Sequence, residues 1–239
     1  MESVAFVCKY RLIRVSEWDV NMRITKAPEE RIKEILDVSE QLFTTRGYSN
    51  VTVTDIVKKI GISNGAFYHY FKSKEEVLDA VLLRIASGMM SVAKAIAKDG
   101  SLTAIEKILE IARLTTFGGK DEGTKLFFQD AVRTNDDGFR LKLTAFAISK
   151  LAPIVADVVK QGICENTMQS EHPLVFSEIV IAAENMIFKG PSSYTTEELE
   201  EKVIAFVRVH EILWGLQKGD LAAMIDIFKE EALLFNKPE

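Results

Sequence analysis

Cysteine is almost missing from this 239-residue sequence: Cys8 and Cys164 are the only two. They are too few and too far apart for a disulfide framework or a tetrahedral metal site. The three histidines, His69, His172 and His210, stand at no ligand spacing to one another or to a cysteine, so no metal is expected. A Gly-rich phosphate loop, an HExxH pair, a GxSxG elbow and a CxxC pair are all absent. With them go the usual signatures of catalysis or of a bound cofactor, and neither is expected. Proline is scarce at five residues, so long helices can run with few interruptions. No apolar run approaches the ~20 residues of a membrane-spanning helix. The nearest, 173–188, is short and carries Glu178 and Glu184. The basic start, apolar run and small-residue cleavage site of a signal peptide are also missing. The expectation is a cytoplasmic protein with no membrane partner.

What is present is an ordinary globular composition, 47% hydrophobic and 27% charged. The net charge of -5 hides an asymmetry: residues 1–74 hold 12 Lys/Arg against 9 Asp/Glu, and residues 75–239 hold 18 against 26. The front can approach phosphates, whereas the rest would be repelled by them. Two tasks in two regions are the natural reading.

Residues 1–21 mix valines, aromatics and basic residues without a helical stripe. They read either as a strand-like arm, able to touch DNA through Lys9, Arg11, Arg14 and Arg23, or as a segment preceding a native start at Met22. From Ala27 the pattern turns helical. Pro28 suits a first turn, with Glu29 and Glu30 at the positive end of the helix dipole, and Ile32, Ile35, Leu36, Leu42 and Phe43 recur at helical spacing. Gly47 closes that element. Thr52 or Thr54 caps a second helix carrying Ile56, Val57 and Ile60, Ser63 caps a third, and Ser73 caps a fourth. Further helices are expected near 101–117, 124–134, 137–163, 173–189, 196–218 and 220–235, with no strand pattern of useful length. The chain is read as all-α.

The informative stretch is Thr52 to Phe71. Two short helices joined at a steep angle by a turn of three or four residues need a residue tolerant of positive φ, and Gly61 supplies it. Ile56, Ile60, Ile62 and Phe67 would seal the two together. Ser63 would cap the second helix and leave its first turn free to enter a major groove. Asn64, Gly65 and Ala66 stand there; small residues permit close approach, and Asn64 can pair with adenine or a phosphate. Thr52, Tyr68, His69 and Lys74 are placed to contact backbone phosphates.

Residues 31–79 closely resemble the TetR (tetracycline repressor) family. The resemblance is carried by Arg31-Ile-Lys-Glu-Ile-Leu, Leu42-Phe43, Arg46-Gly47-Tyr48, Val51-Thr-Val-Thr-Asp-Ile and Gly61-Ile-Ser-Asn-Gly-Ala-Phe-Tyr-His-Tyr-Phe-Lys-Ser-Lys-Glu. Val57 departs from it, standing where the family usually has alanine. The resemblance implies a three-helix DNA-binding head at 26–75, preceded by an extension at 1–25 and followed by a helical effector-binding and dimerisation domain at 76–239. It implies a homodimer on a near-palindromic double-stranded operator and a small molecule that shifts the spacing of the two heads. The dimer seam would form from 173–189 and 196–218, with Ile179, Ile181, Ala182, Met186, Ile204, Val207, Ile212 and Leu213 as candidates. Phe117, Phe128, Phe139, Phe146, Phe176 and Trp214 could line an apolar effector pocket, although aromatics at helical spacing are more often plain core. The function expected is that of a transcriptional regulator, a repressor released by its ligand. Two alternatives stay open: a protein-binding adaptor whose helix-turn-helix no longer meets DNA, and a helical enzyme.

Overall fold

The computed structural model describes residues 27–117, 137–188 and 194–235, together with positions 123, 126, 127 and 131. Every regular element among them is helical: α1 Pro28–Arg46, α2 Val53–Ile60, α3 Asn64–Tyr70, α4 Lys74–Lys98 and α5 Ala104–Phe117. These are followed by α6 Asp137–Lys150, α7 Ala152–Cys164, α8 Pro173–Ile187, α9 Thr196–Leu213 and α10 Ala222–Phe235. The N-terminal extension and most of the helix expected at 124–134 lie outside the described residues.

Local chemistry sets the boundaries. Pro28 occupies the first turn of α1, where its missing N–H costs nothing, and Gly47 ends the helix at φ 79° while donating its N–H to Phe43 O. At α2 a capping box joins Thr52 and Asp55, and Thr195 with Glu198 repeats the device at α9. Ser73 Oγ accepts from the Glu76 N–H at the start of α4. The single helix expected over 137–163 is divided at Leu151, because Pro153 has no N–H to continue the ladder and its ring crowds the preceding turn. The last long helix stops at Leu213, earlier than expected, and the chain turns through Gly215 at φ 66°.

Two apolar clusters organise the molecule. The first joins α1 to α3 through Ile35, Leu42, Phe43, Ile56, Val57 and Phe67. It also takes Val77, Leu78, Val81 and Leu82 from the first half of α4. The second gathers Met89, Met90 and Ala93 from the other half of α4 with buried residues of α5 and α7 to α10. One continuous helix therefore belongs to both clusters, and the expected division at residue 75 falls at its start. An 18-residue window of α4 is apolar enough to cross a membrane by composition, with mean hydropathy 1.5. Inside the protein its apolar residues serve those two clusters instead, and Arg84 between them is paired with Asp37 and Glu40 of α1.

The head cluster also takes a residue from beyond α5. Phe127, from the chain between α5 and α6, is buried among the head residues and stacks on Phe43 at 5.8 Å between ring centroids. Lys142 of α6 adds an exposed pair with Asp79 of α4.

Candidate nucleic-acid interface

The geometry of the head starts with Gly61. It ends α2 in the left-handed region, at φ 78° and ψ 36°, and its N–H reaches Val57 O at 2.9 Å. Ile62 and Ser63 complete the turn. Ser63 Oγ accepts from the Ala66 N–H at 3.1 Å, which starts α3. The inner side of α3 is then locked by one residue: Phe67 has no exposed surface and packs beside Phe71 and edge-on to Tyr68.

Locking Phe67 inward turns the other side of α3 outward. Asn64, Gly65 and His69 are exposed, Ala66 is half-buried, and Tyr68 is 53% exposed although it is a large aromatic. Within 4 Å, a Cβ added at Gly65 would meet only Ser63 Oγ, at 3.9 Å. The fold therefore does not require glycine at that position. The sequence of α3 carries no Lys or Arg; Arg46, Lys58, Lys59 and Lys72, all exposed, stand on either side of it in the chain.

Two of the expected phosphate contacts have partners of their own. The Thr52 hydroxyl donates to Asp55 Oδ2 at 2.5 Å and accepts the Asp55 N–H at 3.2 Å. The hydroxyl's bond, with the Thr52 N–H donated to the same Oδ2 at 2.8 Å, holds the Asp55 carboxyl below its ordinary range. Lys74 donates from Nζ to Tyr48 O at 3.1 Å and to Val51 O at 2.9 Å, and the same ammonium lies 3.9 Å from the centre of the Tyr48 ring. The Tyr48 phenol donates to Glu75 Oε1 at 3.2 Å. Burial, followed by the charge of Glu75, pushes that phenol well above its usual range. In the sequence, Tyr48 stands out only through the family resemblance. Its contact with Lys74 spans 26 residues, and no local pattern announces it.

The candidate effector residues are only partly within the described structure. The side chains of Phe117 and Phe139, and the whole of Phe128, lie outside it. Phe146 of α6 and Phe176 of α8 are half-buried against the second cluster. Trp214, just beyond α9, is 1% exposed, and its indole N–H has no hydrogen-bond partner. It faces His210, whose ring centroid is 5.0 Å away. His210 is itself buried, with Nδ1 2.9 Å from Phe206 O. Among the described residues no cluster of His, Cys, Asp or Glu could hold a metal ion.

Residues 35–81 match the family model described as bacterial regulatory proteins, tetR family. The transcriptional repressor KstR2 of Mycolicibacterium smegmatis is 42% identical over 55 residues, 23% of this chain and 27% of that protein. The nucleoid occlusion factor SlmA of Haemophilus ducreyi is 27% identical over 123 residues, 51% of this chain and 61% of its own length. The chain thus spans under two thirds of either relative. In fold it resembles a transcriptional regulator from Cytophaga hutchinsonii at TM-score 0.56 and 14% identity, covering 86% of this chain and 96% of that one. A TetR/AcrR-family regulator from Thermobifida fusca aligns at TM-score 0.51 and 20% identity, covering 88% and 99%. The helix-turn-helix whose geometry is given above thus lies in a segment, residues 35–81, that matches the tetR family of bacterial regulatory proteins.

Proposed function

We propose that this protein is a homodimeric, sequence-specific DNA-binding transcriptional regulator, a repressor released from a near-palindromic operator by a small molecule. The observation that carries the reading is the outward first turn of α3. Asn64 and Gly65 are exposed there, and Gly65 leaves a space that nothing in the fold demands. A glycine the fold does not need, set beside an exposed amide, suits a helix that must come close to base edges. Asn64 reads bases, Tyr68 and His69 position the head on phosphates, Thr52 and Ser63 cap the two helices that present them, and Gly65 and Ala66 let the backbone approach. Residues 26–75 supply this head, and 76–239 supply dimerisation and effector binding. Recognition helices of the two subunits meet successive major grooves about 34–36 Å apart. An effector that prefers another spacing weakens DNA binding by that difference in affinity alone. The change reaches the head through α4, which belongs to both clusters, and through the chain after α5, whose Phe127 is buried in the head cluster.

The test is Gly65→Leu beside Asn64→Ala, with binding measured by mobility shift on duplexes that the wild-type protein selects from a random pool. Gly65→Leu keeps or raises the melting temperature, since leucine favours a helix, its Cβ is in open space and the position is exposed, yet weakens binding at least tenfold. Asn64→Ala loses about 1–3 kcal/mol and relaxes the preference at one base position. Unchanged binding by both variants removes α3 as the reading element. The longer match, to a nucleoid occlusion factor, favours one second reading: a DNA-bound role other than transcription. Genome-wide occupancy separates the two, since a regulator concentrates near promoters.

A further inference from the structure

We infer that Tyr48 is a positioning residue for DNA binding: its ring holds the ammonium of Lys74 in place before any phosphate arrives. The inference rests on the DNA-binding reading above and on the phosphate contact that the sequence leads one to expect of Lys74. Lys74 is the first residue of α4, where the helix dipole already favours an anion. Its ammonium donates to Val51 O at 2.9 Å and to Tyr48 O at 3.1 Å. Both carbonyls belong to the segment between α1 and α2, and Val51 immediately precedes Thr52, the cap of α2. Two of the three N–H donors are thus used, and one is left for an oxygen brought by DNA. The Tyr48 ring lies 3.9 Å from the ammonium. Its face attracts the charge while offering no lone pair to it.

The ring is itself held on two sides. Phe43, which is buried, meets it edge-on at 5.2 Å between centroids, and its phenol donates to Glu75 Oε1 at 3.2 Å. Glu75 follows Lys74 in the chain and feels its charge, so the phenol engages a carboxylate that would otherwise compete with a phosphate for the ammonium. A lysine free in water loses rotamer freedom when it settles on a phosphate. One already held by a ring and two carbonyls has lost that freedom on folding, and binding does not bear the loss.

The experiment compares wild type, Tyr48→Leu, Tyr48→Phe, Lys74→Gln and the double variant Tyr48→Leu/Lys74→Gln. Proton NMR of the free proteins, with isotope-labelled lysine, comes first and needs no DNA. The ring current should shift the Lys74 ε-methylene protons upfield in wild type and Tyr48→Phe, and the shift should vanish in Tyr48→Leu. Affinity is then measured from low to moderate salt on a duplex that wild type recovers from a random pool. Lys74→Gln should flatten the dependence of log affinity on log salt by about 1.8, for one phosphate in each of two subunits. Tyr48→Leu should lose about tenfold in affinity on its own and less than about twofold in the Lys74→Gln background. Tyr48→Phe keeps the ring and should stay within about threefold of wild type. A role for Tyr48 in packing Phe43 alone would weaken binding equally in both backgrounds. Equal losses, an unchanged salt slope in Lys74→Gln, or an unshifted Lys74 signal in wild type would overturn the inference and leave the DNA-binding reading standing. Should wild type recover no duplex, that reading falls first, and the role of Tyr48 falls with it.

Discussion

At the scale of single residues, the buried histidine of α9 carries the clearest pH signature. His210 is fully enclosed, with Phe206, Trp214 and Phe228 around its ring. Burial lowers its pKa, outweighing the hydrogen bond to Phe206 O and the charges of Glu184 and Glu211, which act in the opposite sense. The folded state therefore holds a neutral imidazole. Above about pH 6.5 the unfolded state is neutral too, and the residue adds no pH dependence. As pH falls below that value only the unfolded chain takes the proton, so stability drops by up to ~1.4 kcal/mol per pH unit until the lowered folded pKa is reached. His210→Phe suits the aromatic surroundings and has nothing to protonate. Melting temperatures at pH 8 and pH 5.5 should differ less for this variant than for wild type. An equal drop in both proteins would place the acid sensitivity elsewhere. Glu211 moves in the other direction: burial alone would raise its carboxyl, but bonds from Arg208 and from the Gly219 and Leu221 N–H groups bring it below its ordinary range.

At the scale of elements, the parts legible in the sequence are those decided by neighbours a few residues apart. Thr52, Ser63 and Ser73 accept from the third residue beyond them, and Gly61 takes up a left-handed conformation between two apolar stripes. Each is local chemistry, and the helix-turn-helix can be read from it. Gly61 makes the point measurable. A Cβ there would meet nothing within 4 Å, so any cost of substitution is backbone strain alone. Gly61→Val should lose about 1–2 kcal/mol in chemical denaturation, and Gly61→Asn should lose clearly less, because asparagine tolerates that region. Equal losses would mean that the turn, and not its φ, sets the cost. Distance in the chain hides the rest. The Lys74–Tyr48 contact depends on how α4 returns to the end of α1, which no periodicity encodes. Direction is hidden as well. α8 is apolar nearly all round, so spacing does not say which side faces the chain's own core. Ile181 and Val207, expected at the seam, turn inward at 5% and 2% exposure, while Leu174, Val175 and Val209 emerge outward unannounced.

At the scale of the whole molecule, that outward face is a feature a single chain leaves unexplained. Ile179 and Met186 on α8 are 49% and 62% exposed, and Ile204 and Ile212 on α9 are 47% and 60% exposed. Large aliphatic residues concentrated on two consecutive helices mark a surface that water covers poorly. A second copy of the same pair fits the two-fold reading, since an isologous interface pairs a patch with itself. Four helices packed in this way would fix the separation of the two heads, and α4 would carry that separation to α3. The consequence can be tested without knowing operator or effector. Ile179→Glu combined with Ile212→Glu places two carboxylates per subunit where the partner's aliphatic residues would lie, so four charges lose water on association. Both positions are exposed in the single chain, so its own core is left intact and far-ultraviolet circular dichroism should not change. Sedimentation should then show a monomer where wild type shows a dimer, the dissociation constant rising at least a hundredfold. Affinity for a two-site duplex should collapse toward that for a half-site, because two heads no longer bind as one unit. Were the mass to stay dimeric, the heads would be spaced by some other surface, and α8 and α9 would lose their place in the path from effector to DNA.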